Sequence, residues 1–436
     1  MSIAKHNRIY HLLLFLISPI LALVYGIKTK NPKYIRWSLF VFVVIYGSTM
    51  HPSHLGDGAA HFDELVRQSL SKSFSTFWGE MISLLMLSPK PSTATEPYIH
   101  ILRYVLGTLL DAPRLLFVVV SIIFGYFYSG SIVKLFSYVN WNSNYNKYYF
   151  LFFLVLTLLI QTPGDMQSVR QGTAIWVLVY CLISYHQSRK IKYLFLLLLA
   201  PFIHLSYFIL SIPFLVVLFS NYRNPKVYFI IFMVSVLAAN IVNKTAVNDL
   251  ASQSEVGAGK VQGYTIDEDR ADEYEGDREE KRTKNNIRFY RIYESDGIHY
   301  IAFTGLIIFM FLFLRNRGFG EIENTLFSYG LAGASFANFL SFNFAVYNRV
   351  WLIAGVFILS LLLIFLSKQD LRNISLSFLK VRLPLFLFCL VLTPYILFLL
   401  SANLQFTSVY MLFLPVIIWI DFDMGISIRG LIGFFM

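Results

Sequence analysis

Two arginines stand where a positive charge at the edge of an apolar segment can bind an anion. Arg170 opens the apolar run after "DMQSV", with Gln167 and Gln171 beside it on the same helical face. A guanidinium offers a planar pair of donors for phosphate or carboxylate, and the free N–H groups of a helix start favour the same charge. The alternative is an interfacial arginine whose charged head reaches water at the membrane edge.

The second arginine is Arg349, in "FNFAVYNRVW". This motif predicts that Asn348 and Arg349 lie between two apolar runs, on the same side as Arg170. Two guanidinium groups from distant parts of the chain suit a polyanion such as pyrophosphate, with Gln171 and Asn348 as neighbouring polar contacts. The alternative is an exposed loop base without a ligand.

Three further residues are candidates for acid–base catalysis. Asp57 lies in "HPSHLGDGAAHFDEL", where the His and Asp spacing fits no established metal-ligand pattern, so a general base is favoured and no metal is expected. Glu96 precedes Pro97 and is either a helix cap or a second catalytic carboxylate. His204 lies in "LAPFIHLSYF", either as a buried core histidine or in a site at a turn broken by Pro201.

The composition predicts the environment of these residues. Hydrophobic residues make up 56% of the 436 and charged residues 14%, and the mean hydropathy is +0.60. Soluble domains carry about 25% charged residues. The apolar runs are long enough to cross a bilayer, so the sequence predicts an all-α polytopic membrane protein. The net charge of +11 is dispersed between these runs and does not indicate nucleic-acid binding. Cys181 and Cys389 lie inside apolar runs, so no disulfide is expected.

The apolar pattern predicts thirteen crossings. They are placed near 10–26, 34–50, 115–136, 148–163, 168–185, 191–202, 203–219, 226–243, 298–314, 322–345, 349–366, 383–400 and 405–421. The pair 191–202 and 203–219 is ambiguous between two short spans, one long span and a re-entrant hairpin broken at Pro201.

Orientation follows from the basic residues in short loops, which favour the cytoplasm. One topology places all five basic clusters inside, with the N-terminus outside, the C-terminus inside and 98–110 not crossing. The clusters are Lys28/Lys30/Lys33/Arg36, Arg189/Lys190/Lys192, Arg223/Lys226, Arg315/Arg317 and Lys368/Arg372/Lys380/Arg382.

This topology predicts one transmembrane domain, 1–436, with two outward-facing parts. The first is 51–114, whose amphipathic pieces 77–87 and 98–110 are expected along the membrane surface. The second is the insert 244–297, which holds 13 of the 25 acidic residues. It is either a solvated loop or a cap over substrate.

The central block of the sequence resembles a known family. Arg-Gln-Gly-x-Ala at Arg170 is followed by an apolar helix, a basic turn "HQSRKIKYL" and "LAPFIHLSYFIL". This order is similar to the EpsG-like branch of Wzy-type polysaccharide polymerases. Asp57, the Glu96–Pro97 pair and the Asn348–Arg349 pair resemble that family's other polar positions.

The resemblance implies a glycosyltransferase at the outer face of a bacterial inner membrane, with an architecture similar to the GT-C class. Repeat units of an O-antigen, capsule or exopolysaccharide would be joined by inverting transfer. The donor and acceptor would be glycans linked to undecaprenyl pyrophosphate, which is the leaving group. No cofactor is expected, and a chain-length regulator is an optional further partner. Arg170 and Arg349 would hold the pyrophosphate with Gln171 and Asn348, and Glu96, His204 or Asp57 would take the acceptor proton.

Two alternatives stay open at this point. A transporter or flippase of lipid-linked oligosaccharide would also use cations in a membrane cavity, but it is expected to show internal repeat symmetry, which the sequence lacks. An O-antigen ligase-like transferase shares the arginine chemistry and differs only in its acceptor.

Overall fold

A computed structural model describes residues 2–50, 57–67, 72–86, 96–141, 147–220, 224–238, 297–315, 319–341, 344–368, 381–415 and 427–435. Within these ranges the chain is helical, apart from one isolated β-bridge between Ser408 and Ser427. The predicted all-α class is therefore confirmed for this part of the chain. The charged insert 244–297 lies outside these ranges, except for Gly297.

The helices follow one another along the chain with short connections. They are α1 Ser2–Ile17, α2 Pro19–Lys28, α3 Pro32–Ser48, α4 Asp57–Arg67, α5 Phe74–Leu85, α6 Pro97–Arg103, α7 Leu116–Phe136, α8 Lys147–Leu159, α9 Gln171–Ser188, α10 Lys192–Leu197, α11 Leu199–Ile203, α12 Tyr207–Leu210, α13 Ile212–Phe219, α14 Pro225–Ala238, α15 Ile298–Arg315, α16 Glu321–Phe339, α17 Phe344–Lys368, α18 Leu383–Phe406 and α19 Ile428–Phe435. A π-helical stretch, Tyr104–Leu109, continues α6, and a 3₁₀ segment, Pro163–Ser168, precedes α9.

Five helical segments in the described ranges are long and apolar enough to cross a membrane. They are Pro113–Phe136, Lys147–Ser168, Ile298–Arg315, Val346–Lys368 and Leu383–Phe406. Shorter apolar helices run over Pro19–Lys28, Lys192–Ile203, Tyr207–Phe219 and Pro225–Ala238. The number of thirteen crossings is not confirmed. Many large apolar side chains on these helices are exposed, including Ile122, Leu151, Val216 and Leu390. Such a surface is typical of contact with lipid.

The predicted first span, 10–26, is wrong. Ser18 and Pro19 divide it into two helices that fold back on each other. The imidazole of His11 on α1 bonds to the carbonyl of Ala22 at 2.7 Å and to the Tyr34 hydroxyl at 2.7 Å. This hairpin returns the start of α1 to the same end as Lys28. The predicted opposite placement of Lys5 and Arg8 is therefore also wrong.

The predicted last span, 405–421, is also wrong in its described part. Helix α18 ends at Phe406, and Thr407 is extended while its N–H donates to Asn403 O at 3.1 Å. A 3₁₀ turn capped by Ser408 follows, and Leu414 has φ +51°. The C-terminal helix α19 lies against the end of α18, because Arg429 donates to Gln405 at 2.9 Å. These contacts give no support to a thirteenth crossing that would carry the C-terminus to the other side.

Basic residues gather at one end of the bundle, which we call the basic end. Arg36 lies 4.8 Å from the ring centre of Tyr126 and 5.9 Å from that of Tyr180. Arg189 pairs with Glu321 at 3.4 Å, and Lys368 pairs with Glu323 at 2.6 Å. The hydroxyl of Tyr149 donates to Arg382 O at 3.3 Å. The starts of α3, α8, α16 and α18 and the ends of α9 and α17 therefore lie together.

The opposite end, which we call the site end, holds the starts of α6, α9 and α17 and the turn between α11 and α12. The ambiguous segment 191–219 runs to this end and back. Its turn falls at His204 and not at Pro201, because Pro201 lies in the first turn of α11, where its missing N–H costs no hydrogen bond.

The amphipathic predictions for 51–114 are confirmed in one part and wrong in another. Helix α5 exposes Phe74, Trp78 and Leu85 on one face, as expected for a helix at a membrane surface. By contrast, Tyr98 and Ile99 on α6 are buried. Helix α6 is an interior element because it packs against α11.

Small residues let α16 and α17 approach closely. A Cβ on Gly330 would lie 2.3 Å from Cδ1 of Ile358, and one on Gly333 would lie 3.1 Å from Cβ of Ala354. Small residues at helix contacts replace the hydrophobic driving force that lipid removes.

We expect Gly330→Ala to destabilise the protein, although alanine favours helix by about 1 kcal/mol. The added methyl group would force Ile358 to move, and overpacking costs about 1–3 kcal/mol. Thermal unfolding in detergent measures the effect. Gly79→Ala is the matched control, since a Cβ there has nothing within 4 Å. Equal melting temperatures for the two variants would contradict the close contact.

Candidate active site

Three residues that the sequence singled out meet at the site end. The carboxylate of Glu96 is fully buried at 0% exposure. Its Oε2 accepts from Nη1 of Arg170 at 2.5 Å, and its Oε1 lies 3.0 Å from Nδ1 of His204. These contacts join residues separated by 74 and 108 positions in the chain.

Glu96 occupies the N-cap position of α6, and Pro97 takes the first helical position as predicted. The side chain makes no capping hydrogen bond. It turns instead to Arg170 and His204, because a buried carboxylate needs cationic or strongly donating partners more than a helix start does. The capping interpretation is therefore wrong for Glu96, although its position at the helix boundary is correct.

Arg170 is the N-cap residue of α9, as its placement before the apolar run predicts. Its backbone follows a tight γ-turn at Val169, with φ +46° and ψ −56°, in which the Arg170 N–H donates to Ser168 O. A β-branched residue in this conformation costs about 1–3 kcal/mol and persists only where the surroundings impose it. Val169 is fully buried. The turn therefore fixes the point from which the guanidinium reaches Glu96.

The 3₁₀ segment before this turn is itself tightly held. Thr162 and Asp165 form a capping box, in which the Thr162 N–H donates to Oδ2 of Asp165 at 2.5 Å. The hydroxyl of Ser168 accepts from the N–H of Gly172 at 2.9 Å. A Cβ on Gly172 would lie 2.5 Å from Asp165 O, so only glycine permits this approach. These contacts supply the support that the strained turn requires.

His204 lies in the turn between α11 and α12 and is 5% exposed. Its backbone N–H donates to Ala200 O at 2.9 Å and closes α11. The Tyr207 hydroxyl one turn later donates to Gln171 O at 3.5 Å, which ties this turn to the start of α9. The core-histidine alternative is only half right, because the ring is buried but its partner is a carboxylate.

Arg349 lies in the second turn of α17, which begins at Phe344. The prediction that Asn348 and Arg349 lie between two helices is therefore wrong, since the helix starts earlier than the apolar run. Arg349 is partly exposed and interacts electrostatically with His204 and Tyr207. Arg170 also acts on His204. Both arginines therefore face one region.

The other predicted residues lie around this group. Asp57 is the first residue of α4, but its side chain lies outside the described part of the structure. The next residue, Gly58, packs so closely that a Cβ would lie 2.7 Å from Gln167 O. Gln171 contributes its carbonyl to Tyr207, as above. Asn348 accepts from the Tyr300 hydroxyl at 2.5 Å.

A second ion pair lies beside the first, and the sequence reasoning did not assign it a role. Arg103 bonds to Glu64 and lies 3.4 Å from Nδ1 of His61, and it interacts electrostatically with Arg170 and Glu96. Burial lowers the pKa of Arg103, and Glu64 opposes that shift. An arginine nevertheless stays protonated. The spacing offered a signal, because Arg103 follows Glu96 by two helical turns and so shares its face.

The geometry restricts what each group can do. An ionised Glu96 only accepts hydrogen bonds, so Nδ1 of His204 carries the proton in their contact. That tautomer leaves Nε2 of the same ring as a proton acceptor. Among the described residues, the arginines bring more positive charge to this region than the carboxylates neutralise. The arrangement is therefore equipped to bind an anion and to move one proton. No group of three or more His, Cys, Asp or Glu side chains in the described ranges is placed to hold a metal ion.

Comparison with known proteins gives one match. The model of the EpsG family matches residues 68–407, whereas no curated protein and no solved structure matches the chain. The matched segment covers Glu96, Arg170, His204 and Arg349, and it leaves out Asp57. Because the match spans well over half of the chain, this protein belongs to the EpsG family.

Proposed function

We propose that this protein polymerises oligosaccharide repeat units linked to undecaprenyl pyrophosphate, by inverting glycosyl transfer at the outer face of a bacterial inner membrane. The EpsG family is associated with glycosyltransferase-like polysaccharide polymerases in membranes. The observation that carries the finer proposal is the buried Glu96 carboxylate, which binds Arg170 and His204 at once and has Arg349 nearby.

In this proposal, Arg170 and Arg349 bind the pyrophosphate of the donor. Two guanidinium groups neutralise the charge that grows on the leaving oxygen as its bond to the anomeric carbon breaks. Glu96 holds Arg170 in place and keeps the side chain from turning into water. Gln171 at the start of α9 and Asn348 beside Arg349 are the neighbouring polar contacts, and the N-terminus of α9 adds its dipole.

His204 takes the role of general base. Nε2 accepts the proton of the acceptor hydroxyl while that oxygen bonds to the anomeric carbon from the face opposite the pyrophosphate. The pyrophosphate leaves with the electron pair of the broken C–O bond, and the configuration inverts. Glu96 stabilises the imidazolium that forms, as a carboxylate does for histidine in hydrolase triads. Asp57 stays a proposed alternative base.

The segregation of charge supports the orientation. Basic residues concentrate in the cytoplasm near membrane helices, so we place the basic end inside and the site end outside. The shorter apolar helices would complete a GT-C-like bundle, and 51–114 would cover the outer face. Donor, acceptor and lipid bilayer are the expected partners, together with any chain-length regulator.

Arginine substitutions test the pyrophosphate site. We expect Arg170→Ala and Arg349→Ala to reduce polymerisation by about 10²–10³, as for the loss of one preorganised electrostatic donor. Arg170→Lys should also be impaired, because a point charge loses the two-donor geometry. The length distribution of lipid-linked glycan, with protein levels in membranes, measures the effect. Arg189→Ala at the basic end is the control. Normal long-chain product from both alanine variants would exclude the proposed role.

The His204–Glu96 pair predicts a change in pH dependence. In Glu96→Gln the imidazolium loses its carboxylate, so we expect a lower rate and an acid limb of the rate–pH profile that moves to lower pH. His204→Gln should abolish that limb together with most of the activity. Glu323→Gln is the matched control, since it removes another buried carboxylate that binds a cation, Lys368, at the basic end. An unmoved acid limb in Glu96→Gln would rule out His204 as the base.

Thiol labelling tests the orientation. In a variant with Cys181 and Cys389 replaced by serine, a cysteine at Asp111 should react with a membrane-impermeant reagent in intact spheroplasts. A cysteine at Lys190 should react only after the membrane is opened. Both positions are exposed. Labelling of position 190 from outside would reverse the assignment.

A further inference from the structure

A cavity of about 180 Å³ lies at the site end, next to the arginine and histidine group. It is bounded by the end of α8, the 3₁₀ segment Pro163–Ser168 and the facing ends of α15, α17 and α18. Its polar wall consists of Gln161, Asp165, Asn348 and Asn403, and its aromatic wall includes Tyr395. Polar side chains at membrane depth are costly, so their convergence on one cavity marks a binding site by default.

One of these groups lacks a partner. Gln161 is 3% exposed, and its Oε1 has no hydrogen-bond partner among the described residues. An unsatisfied buried amide oxygen costs about 1–3 kcal/mol, so it calls for a ligand or a water. Asn348 also lines the cavity and uses its Oδ1 for the Tyr300 hydroxyl, so its NH₂ is the part left to donate. An acceptor and a donor therefore converge on the same space.

The rest of the polar wall is rigid. Thr162 donates its N–H to Asp165, and its hydroxyl contacts both Asp165 and Asn403. The NH₂ of Asn403 donates to Leu399 O at 2.8 Å. These oxygens are partly committed to one another, so they do not form an open shell for a cation. They can still accept further bonds from hydroxyl groups, because each carries more than one lone pair.

The aromatic wall is ordered as well. The rings of His299 and Tyr395 stack with centres 4.5 Å apart at 8°, and Phe398 lies next to Tyr395 at 6.5 Å. A ring that presents C–H groups on its face and hydroxyl groups at its edge matches such a surface: the face packs on the aromatic groups and the edge bonds to the amides. The volume is below the range of about 300–1,000 Å³ for drug-sized ligands, so it suits one ring.

We propose that this cavity is a monosaccharide subsite, which holds the sugar ring next to the pyrophosphate of the lipid-linked substrate. This assignment rests on the proposed function. The chain joins the two places directly, because Asn348 adjoins Arg349 and Asp165 precedes Arg170 by five residues. A ring in the cavity therefore lies beside the arginines that bind the leaving group.

Binding to the purified full-length protein in lipid nanodiscs tests the subsite. The two probes are undecaprenyl pyrophosphate without sugar and the lipid-linked oligosaccharide pool extracted from the producing cells. We expect Gln161→Leu to weaken binding of the sugar-bearing pool about tenfold, as for the loss of one or two hydrogen bonds, and to leave binding of undecaprenyl pyrophosphate unchanged. Arg170→Ala should weaken both. Gln187→Leu, an exposed glutamine at the basic end, is the control and should weaken neither.

The outcomes separate the two proposals. If the wild type binds both probes but Gln161→Leu weakens both equally or neither, the sugar subsite is wrong and the polymerase proposal stands. If the wild type binds neither probe, both proposals fail. Sugar binding that requires Mg²⁺ or Ca²⁺ and is lost with a chelator would assign the cavity to a cation and overturn the subsite. A variant that misfolds is recognised by its melting temperature, in which case Asn348→Leu replaces it with the same expectations.

Discussion

The contact on which the site depends is the bond between the buried Glu96 carboxylate and its two partners, Arg170 and His204. A carboxylate removed from water is stable only when it is paired and hydrogen-bonded, and breaking such a pair costs about 3–5 kcal/mol. Glu96 therefore constrains three separate segments: the start of α6, the start of α9 and the turn between α11 and α12. The same bond sets the tautomer of His204 and the direction of the Arg170 guanidinium. One interaction thus serves both the fold and the chemistry.

The strained turn at Val169 shows what this arrangement costs. A buried valine at φ +46° is unfavourable in isolation, and the capping box of Thr162 with Asp165 and the close packing at Gly172 offset it. Strain of this kind is found where a side chain must be held at one angle. Here that side chain is Arg170. The same short segment forms a wall of the neighbouring cavity, so its rigidity orients both the charged group and the polar wall.

The membrane explains why charges are divided between two ends. Basic residues that set orientation stay at the basic end, where they stack on tyrosines such as Tyr180 or pair with Glu321 and Glu323. The carboxylate, arginines and histidine of the candidate site lie at the other end, at helix starts and at a break between short helices. In lipid, irregular backbone is tolerated only where protein or a water-filled cavity surrounds it. The break at His204 meets this condition because Glu96 and α9 enclose it.

The sequence by itself determined the class of protein and the residues that carry its chemistry. Long apolar runs must form helices in lipid, and a charge such as Arg170 or Glu96 at their edges is too costly to lack a role, so both conclusions follow from local pattern. The family resemblance at Arg170 and His204 was also readable, and the match confirms it. Local pattern failed where helices break or begin early, as at Ser18, Thr407 and Phe344, because a break inside an apolar run changes hydropathy little.

Only the tertiary structure decided which residues meet. Glu96, Arg170 and His204 are separated by 74 and 108 positions, and no periodicity records contacts at that distance. Packing of α6, α9 and α11 turned a residue at a cap position into the partner of an arginine and a histidine. It also turned Gln161 and Asn348 toward one cavity, which their positions in the chain do not predict. Side-chain direction at a helix end depends on what lies across from it, and that is fixed by the assembled bundle.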